Sequence, residues 1–242
     1  MQILVISDIH SNLTALEAVL TDAAPYDAVW CLGDLVGYGP DPNECIQRVR
    51  QLPDLVCLIG NHDAAVIGDI DIDSFNQEAR VVVRWTQRVL NEENETYLRG
   101  LPETQVVDSV TLAHGSPRQP VWEYLLDNRT ATQNFAYFDT PFCFVGHSHL
   151  PVVFQLHDDR RLADLFVPGM EQCLEMTPRA IFNPGSVGQP RDRDPRAAYA
   201  IFDSESLTWT CHRVAYEIPR VQERMQDAGL PDRHIIRLSA GW

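Results

Sequence analysis

Short apolar runs alternate with amphipathic segments in the first part of the chain. The run "QILVIS" is rich in β-forming residues, and "SNLTALEAVLTDA" carries its leucines on one helical face, with Ser11 or Asn12 as the N-cap. "YDAVWCLGD" and "DPNECIQRVRQL" repeat the strand and the helix, and "DLVCLIGNHD" is a third strand. Strands that alternate with helices in this way predict a parallel sheet in an α/β protein.

The second half of the chain has a different rhythm. "QVVDSVTLAHGSP" predicts a hairpin, and "FCFVGHSHLPVVFQL" predicts a strand, a tight turn and a strand. Further strands follow in "RAIFNPGSVGQP", "AAYAIFDSES" and "LTWTCHRVAY", and then a helix at "VQERMQDAG". Between the halves, "SFNQEARVVVRWTQRVLNEENETYLRGL" predicts one long helix or two, ended by Gly100 and Pro102. These elements predict a second, mixed or antiparallel sheet against the first, in one domain spanning residues 1–242.

Polar residues follow the predicted strands of the first half at the point where each strand ends. Asp8 and His10 follow the first strand, Asp34 follows the second, and Asn61 and His62 follow the third. The carboxyl ends of parallel strands meet at one edge of a sheet, where ligands bind in α/β proteins. We therefore expect these side chains to converge.

Two histidines, His147 and His149, flank one serine in "FVGHSHLP", and His114, the least specific of the three, lies in "LAHGSP". An extended backbone sends alternate side chains to the same side, so His147 and His149 are expected to face one direction. Imidazoles that close repel each other once protonated, so we expect cations to hold them. Imidazoles, carboxylates and an amide carbonyl suit two divalent ions (Mn²⁺, Fe or Zn²⁺), with Asp34 as the natural bridge.

Each candidate ligand also has a purely structural interpretation. His147 and His149 could be hydrogen-bonded residues of a strand, and Asp8 could cap a helix. Asp34 and Asn61 are residue types that are common in turns. The number of candidates and their positions at strand ends favour the metal interpretation over these separate roles.

Composition limits the partners of the protein. The formal net charge of −15 argues against non-specific binding to nucleic acid or anionic membranes, although metal cations would still attract a phosphate. All nineteen basic residues are arginine, which excludes lysine chemistry. A chain of 242 residues with 45% apolar content can bury a full core, so bound metal would be functional rather than structural. Scattered cysteines and the lack of a long apolar span predict a cytoplasmic protein.

The ordered motifs D-x-H, G-D, G-N-H-D, H-G and G-H-x-H resemble those of the calcineurin-like metallophosphoesterase superfamily, in its branch of small bacterial and archaeal cytoplasmic members. The resemblance implies a four-layer α/β/β/α sandwich of two mixed sheets flanked by helices. It implies two metal ions, one bound by Asp8, His10, Asp34 and His149, and the other by Asp34, Asn61, His114 and His147. His62 would not bind metal but would contact the scissile phosphate or the leaving group.

The implied activity is a two-metal phosphoester hydrolase. A hydroxide shared by the ions would attack phosphorus while protonated His62 donates a proton to the leaving oxygen, and Asp63 could orient His62. Protein phosphatases of the superfamily carry an aspartate–arginine pair where this chain has Gly37 and Tyr38, so a small phosphodiester or nucleotide-type substrate is favoured. The alternatives are a phosphomonoesterase or protein phosphatase and a non-enzymatic metal-binding scaffold, which typically loses part of the ligand set.

The candidate substrate contacts are Asn12, Tyr38, Trp122 and Arg191. Tyr38 and Trp122, together with Tyr124, form either an aromatic wall beside the substrate or ordinary packing. Among the arginines near the motifs (Arg118, Arg191 and Arg193), Arg191 is the favoured phosphate clamp. The sequence does not indicate the oligomeric state.

Overall fold

The structure is a computed structural model that describes residues 1–242. It contains twelve strands, which are β1 (Gln2–Ile6), β2 (Ala28–Cys31), β3 (Val56–Cys57), β4 (Thr104–Val107), β5 (Val110–Ala113), β6 (Phe142–Phe144), β7 (Pro151–Gln155), β8 (Asp164–Phe166), β9 (Cys173–Glu175), β10 (Ala180–Pro184), β11 (Ala197–Asp203) and β12 (Thr208–Val214). Its eight α-helices are α1 (Leu13–Asp22), α2 (Pro42–Val49), α3 (Asn61–Val66), α4 (Gln77–Val89), α5 (Glu92–Arg99), α6 (Asn128–Asn134), α7 (Ile218–Asp227) and α8 (Asp232–Ala240). None of the helices combines the length and the apolar character needed to cross a bilayer.

The strands form two six-stranded sheets with the orders β3-β2-β1-β11-β12-β9 and β4-β5-β6-β10-β7-β8. In the first sheet β1, β2 and β3 run parallel, as predicted, and β11 joins β1 in the antiparallel direction. In the second sheet β5, β6 and β10 run parallel, while β4, β7 and β8 are antiparallel additions. Both sheets are therefore mixed.

Side-chain alternation along β1 explains how the layers form. Ile3 and Val5 enter the apolar cluster between the two sheets, where they meet aromatic residues such as Phe144 of the second sheet. Leu4 and Ile6 enter the cluster on the opposite face, which the first five helices cover. The outer face of the second sheet is covered by α6. Both faces of central strands such as β1, β5 and β6 are buried, and these strands are mainly apolar. The predicted four-layer sandwich is confirmed.

The last two helices were only partly anticipated. The helix predicted at "VQERMQDAG" is α7, whereas α8 and the short strands β8 and β9 are not among the predicted elements. Apolar residues of α7 and α8 (Met225 and Leu238 among them) pack on Val82 of α4. This packing brings His234 of α8 next to Tyr38, in the loop after β2.

Two local predictions are wrong. The third strand is only Val56–Cys57, and Asn61 and His62 lie in the first turn of α3 instead of at a strand end. His147 and His149 lie in the turn between β6 and β7, with φ of 62° and 61°, so strand alternation does not place them on a common side. The turn instead directs the two imidazoles toward different groups of ligands.

Candidate metal centre and active site

The candidate ligands lie where loops from both sheets meet. The loop after β1 is joined to the loop after β2, since the N–H of Asp8 donates to Gly33 O at 3.0 Å and that of His10 donates to Asp34 O at 2.9 Å. The N–H of Gly146 donates to His114 O at 2.7 Å, and the N–H of His147 donates to the Asp8 carboxylate at 3.0 Å. These hydrogen bonds join the loops after β1 and β2 of the first sheet to each other, and the loop after β1 to the loop after β6 of the second sheet.

The backbone at this point is left-handed at five candidate ligands, an uncommon conformation for residues other than glycine. The five residues are Asp8, His10, Asp34, His147 and His149, with φ between 49° and 62°. Such conformations cost free energy and persist only where the surroundings hold them, and they concentrate at functional sites. Gly60 shows how tightly these loops approach, because a Cβ at this position would collide with the carboxylate of Asp34.

The first group of ligands consists of Asp8, His10 and His149. His10 Nδ1 lies 3.1 Å from Val36 O, and His149 Nδ1 contacts Gln189 O. A carbonyl oxygen only accepts, so both Nδ1 atoms carry the proton and both Nε2 atoms present a lone pair. These Nε2 atoms are only 3.0 Å apart, and Asp8 Oδ1, which is buried without a hydrogen bond, lies 3.2 Å from the Nε2 of His149. Three converging electron-pair donors without a proton between them fit a cation.

The second group consists of Asp34, His114 and His147, with Asn61 beside them. His114 Nδ1–H donates to Leu32 O at 2.8 Å, which leaves its Nε2 facing Asn61 Oδ1 at 3.2 Å and Asp34 Oδ2 at 3.4 Å. His147 donates from Nε2 to a backbone carbonyl at 3.2 Å, so its Nδ1 is the free ligand atom. Histidines that bind metals usually donate their other ring N–H in this way.

Asp34 connects the two groups. Its Oδ2 lies 3.6 Å from His10 Nε2 and 3.4 Å from His114 Nε2, while its Oδ1 accepts from the backbone N–H of His62 at 2.9 Å. Asp34 is buried, as are all its neighbours in both groups. The nitrogen and oxygen donors of both groups fit divalent metal ions, and Asp34 is within reach of both groups.

The protonation states of these side chains also fit cation binding. Burial would raise the pKa of Asp34, but the imidazoles of His114 and His62 hold it well below its ordinary value. Burial would lower the pKa of His114, yet Asp34 raises it to about 9. Burial lowers the pKa of His10 and, to about 3, that of His147. Ionised carboxylates and neutral imidazoles are the forms that bind metal, and an ion at the second group would displace the proton of His114.

His62 forms a third candidate metal-ligand group with His10 and Asp34, and it also lines a cavity of 230 Å³. Its ring packs edge-on against His10, with ring centroids 4.9 Å apart, and a Cβ on Gly37 would lie 2.7 Å from its Nδ1. Burial lowers the pKa of His62 to about 4, and Arg191 also lowers it. Asp63 does not touch the ring of His62: its carboxylate accepts from the backbone N–H groups of residues 35, 36 and 60.

The predicted aromatic residues all line this cavity. Tyr124 stacks on the ring of His147 with centroids 3.8 Å apart, and Trp122 holds His147 through its carbonyl oxygen. These two side chains are 45% and 36% exposed, so they form the outer rim. Tyr38 is buried deeper, with its ring 4.4 Å from that of His62. Tyr38 therefore has a packing role, while Trp122 and Tyr124 are open to a ligand.

Two predicted polar contacts have different positions in the structure. Asn12 is buried and caps α1: its Oδ1 accepts from Ala15 N at 3.1 Å, and its Nδ2 donates to Gly188 O at 3.0 Å. Its amide is therefore used within the fold, and we no longer propose it as a substrate contact. Arg191 does reach the site, with its guanidinium 5.7 Å from the centre of the Tyr38 ring.

Sequence analysis missed His234 of α8. Its ring lies 4.6 Å from the ring of Tyr38, on the side away from His62. His234 is only 2% exposed, and neither ring nitrogen has a hydrogen-bond partner. The helical pattern of "PDRHIIRLS", with Ile235 and Leu238 on the buried face, is the one signal that could have drawn attention to it.

A sequence model of the calcineurin-like phosphoesterase superfamily domain matches residues 1–207. The chain belongs to this superfamily. The resemblance of its five short motifs is thus confirmed, and the matched residues include every strand of the two sheets except β12. Helices α7 and α8 lie beyond the matched residues.

Three proteins that are similar to this chain differ in how much of it they cover. The crystal structure of a metallophosphoesterase from Sphaerobacter thermophilus has a TM-score of 0.92 and 48% identity, covering 100% of this chain and 99% of that one. Uncharacterized protein MJ0912 of Methanocaldococcus jannaschii is 39% identical over 239 residues, which are 95% of this chain and 94% of the relative. A symmetrical bis(5'-nucleosyl)-tetraphosphatase of Pectobacterium carotovorum subsp. carotovorum is 30% identical over 124 residues, covering 49% of this chain and 44% of that protein.

Proposed function

We propose that the protein is a phosphoester hydrolase that uses two divalent metal ions and acts on a small phosphodiester or nucleotide-type substrate. The observation that carries this proposal is the position of Asp34. Its carboxylate lies between an Asp8, His10 and His149 group and a His114 and His147 group, with lone pairs of both groups facing inward. One ion in each group would share Asp34.

When bound, two such ions polarise phosphoryl oxygens and supply a nucleophilic water at neutral pH. In the reaction an oxygen of water bonds to phosphorus, and the bond between phosphorus and the leaving oxygen breaks. His62 lines the cavity next to the ligands and is the residue placed to assist the leaving oxygen, by hydrogen bonding or by donating a proton. Burial lowers the pKa of His62, and the negative charge of a bound phosphate would raise it again by favouring the protonated imidazole.

The cavity supports a small substrate. Its volume is 230 Å³, and Phe75, Trp122 and Tyr124 line it together with His62. Aromatic rings at the rim of a phosphate site suit a flat base or an aromatic leaving group. The partial likeness to a symmetrical bis(5'-nucleosyl)-tetraphosphatase favours the nucleotide type.

The test is hydrolysis by metal-stripped protein titrated with Mn²⁺, using bis(p-nitrophenyl) phosphate and, in parallel, p-nitrophenyl phosphate. We expect no turnover without metal and a rise to a plateau near two ions per chain, with the diester hydrolysed faster. Faster hydrolysis of the monoester would change the substrate class. Failure to bind Mn²⁺, Fe²⁺ or Zn²⁺ in equilibrium dialysis would overturn the two-metal proposal.

A further inference from the structure

A second cavity lies next to the metal centre, between α8 and the start of α4. Its volume is 330 Å³, and every side chain that lines it is polar: Asn76, Gln77, Glu78, Arg233, His234 and Arg237. We call it the distal cavity. Asn76 lines both this cavity and the cavity at the metal centre, and the rings of His62, Tyr38 and His234 form a row between the two. The distal cavity is thus one aromatic ring away from His62.

The distal cavity holds polar atoms that the fold does not use. Both nitrogens of the His234 ring are buried without a hydrogen-bond partner, and so is the Nε of Arg237. A buried polar group without a partner lowers the stability of a protein. Several such atoms along one wall are therefore better explained by a ligand than by the stability of the fold.

The charge around the distal cavity is positive, although the whole chain carries −15. The guanidiniums of Arg191 and Arg237 both donate to Gln189 Oε1, at 2.9 and 3.2 Å, and neither forms an ion pair with a carboxylate. Burial, followed by the charge of Arg191, lowers the pKa of Arg237. The one carboxylate in the wall, Glu78, lies 3.6 Å from the guanidinium of Arg233. An anion would balance the remaining charge.

The start of α4 adds backbone donors to the same wall. Asn76 caps this helix of 13 residues, so the positive end of the helix lies at the cavity. Arginine forks and a helix N-terminus are together the features that recognise a phosphate group.

We propose that the distal cavity binds another phosphoryl group of the substrate, so that the favoured substrates are phosphoesters with a polyphosphate chain long enough to pass the ring of Tyr38. The scissile phosphate would lie at the metal centre, and Arg191 would lie between the two groups. This assignment rests on the proposed function and narrows its substrate class. It also gives α8, which lies beyond the residues matched by the superfamily model, a role in specificity.

The first experiment measures binding without turnover, by calorimetric titration of metal-free full-length protein with sodium pyrophosphate. We expect saturable 1:1 binding that weakens about 10-fold or more in Arg237→Gln and in His234→Phe. Arg220→Gln on α7 removes the same charge from an exposed position and should bind like the wild type. Equal affinity in all four proteins would overturn the distal site, whether or not the protein hydrolyses esters.

The second experiment compares diadenosine tetraphosphate with bis(p-nitrophenyl) phosphate, which has only one phosphoryl group, using Mn²⁺-loaded protein. Arg237→Gln should raise the KM for the polyphosphate about 10-fold or more beyond any change for the diester. If Arg237→Gln changes the KM of both substrates equally and also loses pyrophosphate binding, the distal cavity binds a free anion. That result would overturn the proposed substrate class. Pyrophosphate binding without hydrolysis of either ester would instead overturn the proposed function and leave the distal site in place.

Discussion

The carboxylate of Asp63 accepts a hydrogen bond from the backbone N–H of Val36 at 3.0 Å, across 27 positions of the chain. It also accepts from Leu35 at 3.2 Å and from Gly60 at 3.0 Å. These three bonds tie the loop that carries Asp34 to the helix that carries His62. Burial, and secondly the charge of Asp34, raise the pKa of Asp63 to about 7, so the ionised carboxylate is unfavourable at this position. The three N–H donors offset part of this cost.

Replacement of Asp63 by asparagine should therefore loosen the metal centre without touching a ligand. An amide loses one acceptor and places an N–H₂ group against backbone donors, which should lower the free energy of unfolding by about 1–3 kcal/mol. The affinity for Mn²⁺ should fall roughly 10–100-fold, as for other groups that support metal ligands. Urea unfolding and calorimetric titration measure the two effects. Asp69→Asn, an exposed change in the turn after the same helix, is the control and should alter neither.

Asp34→Asn tests whether one carboxylate serves both groups of metal ligands. An amide offers a single oxygen and no charge, so both ions should bind less tightly, and activity should fall by about 100-fold or more. Metal content after gel filtration should drop below two ions per chain. Asp158→Asn, which removes a charge from an exposed loop, should keep wild-type values. Normal activity with two retained ions in Asp34→Asn would show that the groups do not share a carboxylate.

Much of this site could be predicted from the sequence because the order of strands and helices determines where strand ends meet. β1, β2 and β3 run parallel, so Asp8, Asp34 and Asn61 converge whatever their detailed conformation. Most of the later strands could also be predicted from the turn residues between them, but β8 and β9 could not. The pattern of apolar and polar residues does not predict the left-handed backbone of a residue such as His147. Long-range contacts, such as its hydrogen bond to Asp8, maintain this conformation.

The contribution of α8 was missed for a related reason. His234 follows no strand and belongs to no short motif, and its position depends on apolar residues of α8 that pack on α4. Asn12 shows the opposite error. A polar residue close to the D-x-H motif was a reasonable substrate contact, but its amide is needed to cap α1. Proximity in sequence to a ligand therefore does not ensure that a polar side chain is free to contact a substrate.

His62→Gln separates metal binding from catalysis. Glutamine keeps a polar side chain but cannot donate a proton as imidazolium does, so kcat should fall roughly 10²–10⁴-fold while both ions remain bound. The loss should be greater for an ethyl than for a p-nitrophenyl leaving group, since the former needs protonation more. His157→Gln, at an exposed position, is the matched control. Loss of an ion from His62→Gln would mean that His62 is a ligand.

His234 also makes stability depend on pH. Burial, then the charge of Arg237, lowers the pKa of His234 to about 3, compared with 6.5 for a free imidazole. Between these values the unfolded chain binds a proton that the folded chain does not, so the free energy of unfolding falls as the pH falls from about 6.5 toward 3. The charged and titratable groups that face this ring are Arg237 and Arg233 of α8, Arg191, His62, Tyr38 and, across the distal cavity, Glu78.

In His234→Phe the ring and its contact with Tyr38 can remain, while both unpartnered nitrogens are lost. At pH 7.5 the variant should be at least as stable as the wild type, because two buried polar atoms have been removed. Its advantage should grow as the pH is lowered to 4.5, since it no longer gains a proton on unfolding. Urea unfolding in EDTA measures this without interference from metal release. Parallel curves for wild type and His234→Phe would show that His234 is protonated equally in both states, and hence that an anion or solvent already reaches its ring.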